Sequence, residues 1–165
     1  MTTKHLSLLL DTNVLVDRYV RDRPHAAASH ALICEAIKQE CTLLYPARAI
    51  VDLHYQIGMY YKHLAREDNG ALSKEDALAC QEIAWSCIDN LCEIATAVGL
   101  DESDVWLARK YRSFNHDFED NFVLAAAERA HADYLVTSDK DLLRKATVAA
   151  LSPEDMLSYL HARQL

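Results

Sequence analysis

Asp11, Asp120 and Asp139 stand where carboxylate chemistry is expected. Asp11 ends the apolar run Leu6 to Leu10 and precedes a polar Thr12-Asn13 corner, after which Val14, Leu15 and Val16 resume at helical spacing. That is the pattern of a short buried strand running into a helix, with an acid just past the strand's end. In open parallel α/β sheets ligands collect outside the carboxyl ends of the strands, so an ionisable residue there is a site candidate. Asp139 repeats the arrangement beyond the continuous apolar run Tyr134 to Thr137, which has the character of a strand inside a parallel sheet.

Asp120 is a candidate for a different reason. From Phe118 onward, Phe122 to Ala127 and Ala130 cover nearly the whole circumference of a helix. At about 100° per residue Asp120 points the same way as Leu124 and Ala127, an acid on an otherwise apolar face. Charged residues rarely occupy such a position without a partner. Asp117, one turn earlier on nearly the same side, is a further candidate that substitutes for Asp120 or joins it.

Three or four carboxylates gathered at one sheet edge cannot all ionise unaided, because like charges at close range raise one another's pKa. A divalent cation removes the conflict. Oxygen donors without a Cys/His set favour Mg²⁺ or Mn²⁺ over zinc. A cation of that kind on a few carboxylates is the usual platform for phosphate-ester chemistry.

The elements that must position these acids follow from periodicity. Pro24 is placed to begin a second helix, with Ala26, Ala27, Ala31, Leu32, Ile33, Ala36 and Ile37 on its apolar face. Thr42 to Tyr45 reads as a strand closed by Pro46. A long helix follows from Ala47 to about Arg66, with Ile50, Leu53, Ile57 and Leu64 on one stripe and Asp52 in its first turns. Asn69-Gly70 breaks the chain, and Ser73 with Asp76 caps a helix carrying Ala77, Leu78, Ile83, Ala84, Trp85, Ile88 and Leu91 to about Cys92. Glu93 to Val98 is the third predicted strand, and the acidic run after Gly99 caps a helix through Trp106. Thr147 to Leu151 is a last strand, ahead of a helix opened by Ser152-Pro153. Strand and helix alternate, so the fold class is α/β with a mainly parallel sheet.

Composition limits the alternatives. A chain of 165 residues suits one well-buried core, so residues 1–165 are expected to form a single domain. No apolar stretch approaches a membrane span or a signal-peptide core, and the expected location is the cytoplasm. The five cysteines read as reduced core thiols, with the pairs Cys34/Cys41 and Cys80/Cys87 each stacked on a helix face. With 17 basic and 25 acidic residues the net charge is −8, which excludes a general basic surface for nucleic acid. It leaves room for a nucleic-acid enzyme whose carboxylates gather around metal ions, since the ions reverse the local sign.

In order, LLLDTNVLVD, Asp52-Leu53, DNFVLAAA, ADYLVTSDKDLL and LSPEDML resemble a PIN domain, the nuclease family that includes bacterial VapC-type toxins. The likeness spans most of the chain. It implies a three-layer α/β/α sandwich, an Mg²⁺- or Mn²⁺-dependent endoribonuclease acting on single-stranded or structured RNA, an antitoxin protein as partner, and homodimers. It places the catalytic acids at Asp11, Asp52, Asp120 and Asp139, with Asn13 in support. The family commonly has Glu where this sequence has Asp52.

Two other function classes fit parts of the pattern. One is a phosphatase of the haloacid dehalogenase type with Asp11 as nucleophile; that family normally has a second Asp two residues on, where this chain has Asn13. The other is a non-catalytic module, either a PIN-like domain that binds RNA or protein, or a receiver-like domain with an acidic Mg²⁺ pocket. Arg18, Arg21, Arg23, Lys140, Arg144 and Lys145 flank the proposed strand ends and are candidates for substrate contact.

Overall fold

The leucines at the amino end divide between two cores. In the computed structural model of the chain, which describes residues 5–163, β1 (Ser7–Leu10) sends Leu8 and Leu10 into one hydrophobic cluster and Leu9 into another. Side chains alternate across a strand, so a strand apolar at successive positions must be covered on both faces. All three leucines are fully buried, each contributing on the order of 2 kcal/mol.

Beside β1 lie β2 (Thr42–Pro46) and β4 (Tyr134–Val136), flanked by β3 (Thr96–Val98) and β5 (Ala150–Leu151). The sheet is parallel throughout, in the order β3-β2-β1-β4-β5. Parallel neighbours need crossovers, and helices supply them. Over Leu8 and Leu10 pack α1 (Thr12–Tyr19), α2 (Ala26–Lys38), α3 (Ala49–Asn69), α4 (Lys74–Ile94) and, at the carboxyl end, α8 (Pro153–Ala162). Over Leu9 and Leu135 pack α5 (Glu102–Tyr111), α6 (Phe118–Arg129) and α7 (Lys140–Lys145). The result is the expected three-layer α/β/α sandwich.

The strand order also fixes where a site belongs. The chain moves outward from β1 through β2 to β3, then returns to place β4 on the other side of β1. The carboxyl ends of β1 and β4 therefore form the topological switch point, where crossovers diverge and leave a crevice. Asp11 follows β1 directly, and Asp139 follows β4 after two residues.

Local chemistry sets most boundaries. Gly70 ends α3 in the left-handed conformation at φ 72°, and Ser73 with Asp76 forms a capping box at the start of α4. Elsewhere the elements depart from expectation. The third strand is only Thr96–Val98 because α4 continues to Ile94, and the last is only Ala150–Leu151, pairing with β4 alone. Helix α2 begins at Ala26 with His25 as its cap, two residues past Pro24. Cys41 does not share a helix face with Cys34, since α2 ends at Lys38 and Glu40, at φ 53°, turns the chain into β2. Leu78, Ile83 and Trp85 of α4 are exposed; packing is confined to the narrower stripe of Cys80, Ala84, Ile88 and Leu91. All five cysteines are free thiols, and no described helix is long and apolar enough to cross a membrane.

Candidate active site

Asp11 is held by three donors. As the residue before α1 it accepts from the Thr12 amide at Oδ1 (2.7 Å), while Oδ2 accepts from Asn13 Nδ2 (2.9 Å) and the Thr137 hydroxyl (2.7 Å). Its own amide donates to the Val136 carbonyl (3.0 Å), fixing it to the end of β4. Capping and site formation are thus the same act. Burial pushes the Asp11 carboxyl up to about 6; the Thr137 and Thr12 hydrogen bonds oppose the rise, and the Asp120 and Asp139 charges add to it.

Thr137 joins the two strand ends. Its hydroxyl donates to Asp11 and accepts from Asn13 Nδ2 (3.1 Å) and from the Asp139 amide (3.1 Å). Asn13 closes the link by accepting from the Ser138 amide (3.3 Å). Asp139 in turn caps α7, its Oδ1 accepting from the amides of Asp141 (2.7 Å) and Leu142 (3.1 Å). Both strand-end aspartates are oriented by the first turns of the helices that follow them.

Asp120, in the first turn of α6, reaches the same cavity from the opposite core layer. Asn115 Nδ2 stands 3.5 Å from its Oδ2, and Asn115 Oδ1 accepts from Lys145 Nζ (3.1 Å). The loop that carries Asn115 is tied down by buried Asn121, whose amide donates to the carbonyls of Asn115 (2.9 Å) and Ala108 (3.2 Å). Burial, then the Asp117 charge, push Asp120 up to about 6, against the Asn115 hydrogen bond; Asp139 raises it further and Lys145 lowers it.

Asp11, Asp120 and Asp139 line one cavity of about 220 Å³, with Asn13 on its wall. The sequence-predicted acids Asp52 and Asp117 do not line this cavity, although the Asp117 charge acts on Asp120. Asp117 caps α6, its Oδ1 accepting from the amides of Glu119 (2.9 Å) and Asp120 (3.1 Å). Asp52 faces an adjacent apolar cavity beside Val98 and Phe122, with Arg48 Nη2 3.8 Å away. One turn further along α3, Gln56 takes the wall of the acidic cavity, and Glu119 supplies a fourth carboxylate there while pairing with Arg48 (3.1 Å). Gln56 and Glu119 carried no strand-end or buried-face signal of their own. Thr137 alone was findable, as a hydroxyl closing an otherwise apolar strand before an acid.

The donor set fits an oxygen-seeking divalent cation. Among the described residues no three His, Cys, Asp or Glu side chains converge tightly enough to enclose an ion. Mg²⁺ does not require that, since it is commonly bound by one or two carboxylates and keeps several waters. Asp11 and Asp120, raised to about 6 chiefly by burial and further by neighbouring acids, are carboxyls whose charged forms such a cation would favour.

Fold and site together define an α/β/α protein with a carboxylate cavity at the switch point of its sheet. A family model for the PIN domain matches residues 7–141, and the chain belongs to the PIN domain family, whose members are generally nucleases. Its structure is similar to FitAcB from Neisseria gonorrhoeae (19% identity, 88% of this chain and 97% of that one, TM-score 0.61). It is also similar to VapBC2 from Rickettsia felis bound to a DNA fragment from their promoter (14%, 89% and 98%, TM-score 0.61). PAE2754 from Pyrobaculum aerophilum is a further likeness (21%, 95% and 96%, TM-score 0.53). At these identities the likeness is one of fold. No curated protein matches the sequence.

Proposed function

We propose that this chain is a divalent-metal-dependent endoribonuclease, a single PIN domain that cuts single-stranded or structured RNA in the cytoplasm. The observation that carries the reading is the shared cavity of Asp11, Asp120 and Asp139 at the switch point of a PIN fold. One or two of these carboxylates, together with waters, would hold Mg²⁺ or Mn²⁺, and Glu119 stands on the same cavity wall. When bound, the cation neutralises phosphate charge and acidifies a water.

The chain's own groups divide the remaining work. Asp11 has both oxygens committed to donors, which makes it a fixed point and a poor nucleophile. That counts against an aspartyl-phosphate mechanism. Asp120 is engaged only by the long Asn115 contact, so it keeps acceptor capacity to orient a water and take its proton. Asn13 and Thr137 lock the two strand-end loops in register. Arg23, on the cavity wall and paired with Asp17, brings a cation to an approaching phosphate.

The likeness to FitAcB and VapBC2 supports a role as the toxin of a type II toxin–antitoxin pair, with an antitoxin protein as partner; homodimer formation is part of the proposal. The test of activity is cleavage of single-stranded RNA by the purified chain. Expected is cleavage in Mg²⁺ or Mn²⁺, none in EDTA, and loss of about three orders of magnitude or more in both Asp11→Asn and Asp120→Asn, with native circular dichroism. Cleavage by both variants at the native rate would remove the mechanism.

A further inference from the structure

A second cavity, of about 640 Å³, lies at the other end of α1 and has the opposite character. Arg18, Arg21 and His30 line it together with Tyr19 and Tyr61. Arg18 Nη1 contacts the His30 ring, and its Nε is buried without a hydrogen-bond partner. A buried guanidinium nitrogen left unpaired is costly unless an acceptor arrives. Burial and the flanking Arg18 and Arg21 charges lower the His30 pKa from its ordinary value, a sign that the pocket disfavours further positive charge. Asp17 also lines the cavity; its Oδ1 is paired with Arg23, the residue that reaches the wall of the acidic cavity, and its Oδ2 is buried without a hydrogen-bond partner. The Asp17–Arg23 pair therefore stands between the two cavities. Along α1, Asp11 and Arg18 are roughly 10 Å apart at 1.5 Å per residue.

We propose that this cavity is a subsite for a nucleotide flanking the cleaved phosphodiester, its phosphate held by Arg18, Arg21 and His30 and its base stacked on Tyr61. The assignment rests on the ribonuclease reading and names where that substrate lies. Cations beside an aromatic face are the combination that holds single-stranded nucleic acid without sequence preference. In a chain of net charge −8 this local cluster supplies what the overall surface does not. Tyr61 packs edge-on against Tyr60 (centroids 5.2 Å apart, 76°), which fixes the orientation of its ring.

The test is fluorescence anisotropy of a short fluorescein-labelled single-stranded oligoribonucleotide on the full chain carrying Asp120→Asn, in Mg²⁺. Adding Arg21→Glu, at an exposed position, is expected to weaken binding about tenfold. It should also reduce the salt slope by about 0.7, one single-strand phosphate contact. Adding Tyr61→Leu is expected to weaken binding with the salt slope unchanged. In the otherwise native chain Arg21→Glu should raise KM and leave kcat near its original value, with thermal melting confirming the fold of each variant. RNA cleavage by the native chain with affinity, slope and KM indifferent to both substitutions would overturn the subsite and leave the nuclease standing. Neither binding nor cleavage by any form would overturn both. Unchanged RNA affinity with loss of a co-purifying protein would overturn the subsite in favour of a protein-docking role.

Discussion

Asp11 and Asp120 have carboxyls pushed up to about 6 by burial and by neighbouring acids, and this makes stability depend on pH in an uncommon direction. Below about pH 4 both carboxyls are protonated in the folded and unfolded chains. Between about 4 and 6 the unfolded chain ionises first while the folded one keeps its protons, so stability falls as pH rises. Above about 6 the penalty is complete, on the order of 3 kcal/mol for Asp11. Melting of the metal-free chain across this range should show a Tm contribution that declines with pH and is smaller in Asp120→Asn. Mg²⁺ or Mn²⁺ at pH 7 should restore the lost stability, and binding measured at about pH 5, where the folded carboxyls keep their protons, should release them. The neighbouring acids differ in what they face. Glu119→Gln removes a carboxylate from the cavity wall and should weaken Mn²⁺ binding about fivefold by calorimetry, whereas Asp52→Asn, on the adjacent cavity, should leave it unchanged. Equal effects from the two would show that placement in the cavity does not govern affinity.

At the scale of elements, helix starts do double duty: Asp11, Asp117 and Asp139 each cap a helix, and two of the three also face the cavity. Strand-end acids were legible because burial and capping leave a local pattern: an apolar run, an acid, then helical spacing. That Gln56 and not Asp52 lines the acidic cavity was not legible, because sequence alone gives the relative angles around α3 and not the rotation of that helix against the sheet. The edge strands were read as longer than they are for a similar reason, since pairing on one side only leaves a weak pattern at their ends. Asp104 shows the same limit. It reads as a member of an acidic cap, yet it is buried, accepts from the Asp101 amide (2.8 Å) and pairs with Arg129, clamping α5 to α6. Asp104→Ala should cost about 3 kcal/mol in urea unfolding by leaving Arg129 without its buried partner, and so loosen the base from which Asp120 projects. A loss under 1 kcal/mol would mean Asp101 alone satisfies Arg129.

For the molecule as a whole, the parallel order β3-β2-β1-β4-β5 puts acids from β1, β4 and α6 in one crevice, and α1 carries the chain from that crevice to a basic, aromatic cavity. On the proposed reading, a net charge of −8 accords with a nucleic-acid substrate because the charge is sorted, with carboxylates gathered in one cavity and arginines in the other. The composition disclosed the sum and left the sorting to the fold. The most direct measurement is anomalous diffraction from crystals of the chain soaked in Mn²⁺. A manganese peak within coordinating distance of the carboxylates of Asp11, Asp120 or Asp139, abolished in Asp120→Asn, is the predicted result. A peak confined to another site, or an identical peak in the variant, would contradict the assignment of this cavity as the catalytic centre.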